Sequence, residues 1–163
     1  YNGSVVAIVA AGTIEVVTDL GNNADQFPAG VIGVFVGCTY TDPNLGTVVF
    51  RNNWPTGTVA DDAQAYIVDD PDVVFMAQAD GAVTQTDLGQ NTNFAAVQST
   101  TTGDTTTGNS NSSIDATTNT TATIAFRIVD FVDSPTSTVG DAFTDLLIKF
   151  NAGIHSYDNA TGI

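Results

Sequence analysis

Apolar residues along this chain come in short runs separated by Gly, Pro, Asp and Asn, a spacing that predicts strands and turns rather than helices. Residues 4–10 (SVVAIVA) and 13–18 (TIEVVT) flank Ala11 and Gly12 and predict a hairpin; a loop follows at 21–25. Residues 30–40 (GVIGVFVGCTY) form the longest apolar stretch, and its three glycines predict a bulged or strongly curved strand. The turn signal at 42–46 (DPNLG) and the return at 47–51 (TVVFR) predict one hairpin over 31–51. An irregular loop at 52–57 (NNWPTG) carries the sole tryptophan.

A second hairpin is expected from 65–68 (AYIV), the turn 69–72 (DDPD) and 73–78 (VVFMAQ). Residues 83–90 fit a short helix or a bend, and 94–99 a strand. The segment 100–119 is almost entirely Thr, Ser, Asn, Gly and Asp, with Ile114 its only large apolar residue, and predicts a long polar loop. Residues 121–132 predict a strand with Ile124, Phe126 and Ile128 on one face; 133–140 is a loop. Residues 146–150 (LLIKF) predict the last core strand, with Leu146, Ile148 and Phe150 inward. The expected architecture is all-β: an antiparallel β-barrel or sandwich with long polar loops. One domain spans 1–150, followed by an irregular polar C-terminal tail at 151–163.

Composition agrees. The chain has 163 residues, 42% of them hydrophobic, enough for one domain with a real core. Glu15 is the only Glu among 18 acids, the rest being Asp, and Asp serves turns and caps where Glu serves helix surfaces. Only Arg51, Arg127 and Lys149 oppose these acids, for a net charge of −15. Phosphate recognition depends on clustered Lys and Arg, so nucleic acid is excluded as a partner, and an anionic membrane would repel the chain. No apolar run is long enough for a transmembrane helix. No signal-peptide pattern opens the chain, which enters a strand-like run directly at Tyr1; a leading segment removed or omitted is the expectation.

Chemistry is scarce. His155 is the only imidazole, expected to be exposed and idle in the tail, and Cys38 is a lone thiol expected to be buried. Neither a nucleophile–base pair nor a zinc site can be assembled from them, and no phosphate-binding loop is present. Asp61–Asp62 and Asp69–Asp70–x–Asp72 read as turn chemistry, with weak Ca²⁺ or Mg²⁺ binding by these turns as the alternative. The expectation is a non-enzyme without a cofactor. Trp54, beside Pro55 and close to Phe50, reads as an interface anchor, a sugar platform or a partly buried loop side chain. The sequons at Asn2, Asn111, Asn119 and Asn159 are no more than an Asn- and Thr-rich chain produces by chance.

The ordered series of 30–51, then Trp54-Pro55-Thr56-Gly57, 65–78, Leu88-Gly89-Gln90-Asn91, the Ser/Thr/Gly-rich segment and 126–131 (FRIVDF) is similar to virion structural proteins of tailed phages infecting marine bacteria, cyanophages included. The resemblance implies a capsid decoration (cement) protein, a β-rich domain on the outer surface of the capsid. It also implies homotrimers that bridge subunits of the major capsid protein. Phe50, Trp54 and Pro55, with Thr105, Thr106, Thr107 and Asn109 of the polar loop, are the expected contact residues. Three alternatives stand beside it: an extracellular filament or fibre subunit paired through β-edges, a glycan-binding adhesin module, and a hydrolase using Asp pairs.

Overall fold

A computed structural model describes residues 1–22, 27–99 and 101–160; the predicted loop at 21–25 lies in part outside them. Two antiparallel sheets face each other as a sandwich and do not close into a barrel. The first sheet holds β1 (Val5–Ile8), β2 (Ile14–Val16), β3 (Val31–Thr41), β4 (Val48–Arg51) and β5 (Gln64–Val68). The second holds β6 (Phe75–Gln78), β7 (Asn91–Thr92), β8 (Phe126–Phe131) and β9 (Asp145–Phe150), in the order β6-β9-β8-β7.

β3 is the spine of the first sheet. β1 pairs with its first half; β4 and β5 both pair with Cys38 and Thr39, so they flank its second half on opposite sides. Its first half is apolar on both faces because both are covered there. Val31 and Val34 belong to the core between the sheets, whereas Ile32, Phe35, Cys38 and Tyr40 form a second cluster on the back. The predicted bulges are present: register shifts occur opposite Val6–Ala7 and between Phe35 and Gly37. Gly33 has φ 137°, and a Cβ there would lie 2.0 Å from the Val68 carbonyl oxygen, so only glycine lets β5 approach.

The core between the sheets is built from β1, β3, β6, β8 and β9, with Leu146, Ile148 and Phe150 inward as their alternation predicts. Aromatic rings run through it in sequence: Phe27, Phe94, Phe126 and Phe150, with Phe75 and His155 both against Phe150.

Five expectations need correction. Residues 65–78 do not form a hairpin: β5 pairs with β3 and β6 with β9, so the Asp-rich turn carries the chain from one sheet to the other. Both arrangements use the same turn chemistry; in the observed one β6 pairs with β9, and Phe75 stacks edge-on against Phe150 within the second sheet. Residues 94–99 form no strand: Phe94 makes an isolated bridge to Ile114, Ala95 and Ala96 bend, and 97–99 are irregular. The side chain of Gln98 there does what strand backbone would: its Oε1 accepts from Val5 N–H at 3.1 Å and its Nε2 donates to Val17 C=O at 3.1 Å.

The strand expected at 121–132 begins at Phe126. Before it, the carbonyls of Ala122 and Ile124 are held by the amide of buried Asn151 instead of a ladder. Residues 151–160 hold only a 3-10 turn at Ser156–Asp158 but are not a free polar tail, since Asn151, Ile154 and His155 are buried. His155 is 1% exposed: Tyr157 N–H donates to its Nδ1, which leaves Nε2–H to donate to Ile32 C=O at 3.0 Å. It is a structural pin, not an idle surface side chain. The ambiguous stretch at 83–90 resolves as a 3-10 turn at Gln85–Asp87.

Candidate interaction surface

The first sheet is longer than the second, and this mismatch creates the surface. On the inner face of β3, Val31 and Val34 are covered by the second sheet, but Val36, two residues on, is exposed. In register beyond it on that face lie Thr39 and Thr41, with Phe50 opposite Thr39, Val48 opposite Thr41 and Tyr66 opposite Gly37. Phe50 is 58% exposed, Val48 71% and Tyr66 44%. The Phe50 and Tyr66 rings stand 6.2 Å apart at 38°, and the Tyr66 hydroxyl meets Thr39 Oγ1 at 3.3 Å. Gly37 makes room for this pair: with φ 146° it carries no Cβ, and one would lie 2.5 Å from Phe50 Cζ.

At the edge of the second sheet the strip continues into a cleft of about 430 Å³ between the sheets. Val36 and Val68 line one wall, Phe75 and Met76 the other, and Met76 is 70% exposed. Ser110 and Ser112 of the polar segment border its mouth.

The polar segment is docked rather than loose. Asp104 N–H donates to Asn109 C=O and Gly108 N–H to Asp104 C=O, closing a tight loop. Asn2 N–H donates to Gly108 C=O at 2.9 Å and Ser110 N–H to Asn2 C=O at 2.8 Å, while Asn52 Nδ2 reaches Thr107 C=O at 3.4 Å. Thr106 N–H, bonded to Asp104 Oδ1 at 2.7 Å, holds that carboxyl below its ordinary range. Thr105, Thr106, Thr107 and Asn109 are thereby presented outward next to Asn52.

The expected contact residues therefore gather at one end of the molecule but not on one face. Phe50 lies on the inner-face strip. Trp54 packs its ring against Tyr40 of the back cluster, 5.0 Å away at 61°, remaining 42% exposed with Pro55 half-buried beside it. Val36, Val48, Tyr66 and Met76 escaped sequence reading. The alternation of Phe50 with Val48 and the period-two position of Tyr66 carried the only signal, and it needed the pairing register to become a surface.

The acidic clusters are individually engaged. Asp62 accepts from the Thr41 hydroxyl at 2.6 Å and from Thr41 N–H, and the hydroxyl is the main cause holding its carboxyl low. Asp70 accepts from Asp72 N–H, Asp69 from the Tyr157 hydroxyl, and Asp72 pairs with Lys149 at 3.0 Å. Among the described residues no group of three or more His, Cys, Asp or Glu is placed to hold a metal ion. Cys38 is buried, and burial pushes its thiol upward from the ordinary value. Comparison with family models, curated proteins and solved structures finds no match.

Proposed function

We propose that this chain is a capsid decoration protein of a tailed phage, binding the outer face of the assembled head as a homotrimer and bridging subunits of the major capsid protein. The observation that carries the reading is the exposed aromatic strip beside a docked polar loop, a contact surface held in place before any partner arrives. The sequence resemblance supplies the partner. Preorganisation of this kind lowers the ordering cost of association. A protein that binds only the assembled lattice stabilises it by mass action, and multiple linked contacts add avidity. The chain works without a cofactor, and its acidity is compatible with the outside of a shell whose nucleic acid lies within.

An antibody to the purified chain, used in immunogold electron microscopy of phage particles from the source population, identifies the cognate heads. Added to those heads after removal of their outer proteins, the chain is expected to raise the temperature at which they release DNA. Labelling confined to filaments or fibres without heads, or no change in release temperature, would overturn the reading.

A further inference from the structure

The uncovered inner face of the first sheet has a charge pattern that selects what can lie on it. Its centre is apolar: Val48, Phe50, Tyr66 and Val36, running into the cleft at Met76. Each end is acidic. At the Val48 end Asp62 is held on Thr41, and Asp42 opens the turn after β3, its Oδ1 accepting from Asn44 and Leu45 N–H. At the other end, where β5 runs on from Val68 into the sheet-to-sheet turn, Asp69 accepts from the Tyr157 hydroxyl and Asp70 from Asp72 N–H, and only Asp72 of the three is paired with a cation, Lys149. Among the described residues no Lys or Arg side chain lies on this face. Arg51 pairs in register with Cys38 and so projects to the back, Lys149 reaches Asp72, and Arg127 of β8 donates to Asn91.

We infer that this strip, and not the Trp54 side of the sheet, is the docking face, and that its partner presents an apolar centre flanked by Lys or Arg. A second copy of this chain is disfavoured because strip on strip would bring acidic ends together on molecules that each carry −15. Aromatic residues at the centre of a desolvated contact supply most of its affinity, whereas the charged ends set partner choice and salt dependence. The inference deepens the decoration reading and rests on it for the partner's identity, a capsid subunit.

The test uses two synthetic amphipathic peptides, one of Leu and Lys and one of Leu and Glu, titrated into the whole chain at about 0.15 M salt, where long-range attraction is largely screened. The wild type is expected to bind the Leu/Lys peptide and not the Leu/Glu peptide. Phe50→Ser with Tyr66→Ser is expected to weaken binding by about tenfold. Asp42→Asn with Asp62→Asn, which keeps an acceptor at each turn, should weaken it by about threefold and flatten its salt dependence. Trp54→Ala should leave it unchanged. Circular dichroism of each variant separates lost binding from lost fold. Equal binding by the Phe50/Tyr66 variant, equal binding of both peptides, or no binding by wild type overturns the inference. Since the peptides contain no capsid, failure here leaves the head-binding experiment to judge the decoration reading. Heads bound equally by wild type and the Phe50/Tyr66 variant would remove this face and keep that reading.

Discussion

Aspartate accounts for much of the local order in this chain. Asp19, Asp42, Asp70, Asp104 and Asp115 each accept the N–H two residues ahead, so the carboxylates that make the chain acidic also fold its turns. Asp87 does more: it accepts from the Thr118 hydroxyl at 2.7 Å and from Thr84 N–H at 2.9 Å, tying the 3-10 turn to the polar segment. The Thr118 bond is the main cause that holds its carboxyl low. A carboxyl depressed in the fold contributes stability above its unfolded value and loses it as pH falls through the folded value. Asp87→Asn should therefore melt below wild type at neutral pH. The gap should close as pH drops beneath the ordinary carboxylate range, which thermal melts across pH will show. Gln98 gives a larger effect. Gln98→Ala leaves the buried Val5 N–H and Val17 C=O without these partners, an expected loss of about 2–4 kcal/mol in chemical denaturation.

Strand identity was legible wherever alternation was strong and one face buried, as in β9, and in β3, whose glycines mark real bulges. Pairing was less legible, because a turn such as 69–72 fixes local geometry without saying which sheet receives the next strand. The strand expected at 94–99 failed for a related reason: Gln98 supplies the hydrogen bonds from its side chain, and no pattern of hydrophobicity registers that substitution. At the level of elements the sharpest prediction concerns the approach of β5 to β3. Gly33→Ala forces a Cβ onto the Val68 carbonyl at a positive φ, and should cost about 3 kcal/mol or more. A folded variant of undiminished melting temperature would contradict that account.

Across the whole molecule, charge opposes compaction. Lys149–Asp72 is the only ion pair among the described residues, so the net charge of −15 is balanced chiefly by solvent ions. Raising salt from roughly 0.01 to 0.15 M shortens the screening length from about 30 to 8 Å. The melting temperature should climb over that range, by about 2–4 °C for each kcal/mol of repulsion removed; a fall with salt would contradict the account. The same field bears on the strip of Val48, Phe50 and Tyr66, whose apolar surface would otherwise invite self-association.

Sequence alone determined the all-β class, the turn positions, the inward residues of the core strands and the scarcity of catalytic groups. Each of these follows from local periodicity, turn stereochemistry or plain counting. Tertiary structure decided the rest. It placed β5 and β6 on different sheets and turned His155 from an expected surface residue into a buried pin under Ile32. It also split Phe50 from Trp54 by a sheet's thickness and left half of one face of β3 uncovered. Those outcomes depend on which strands meet and how far one sheet overhangs the other, and that is a property of long-range packing which no window along the chain contains.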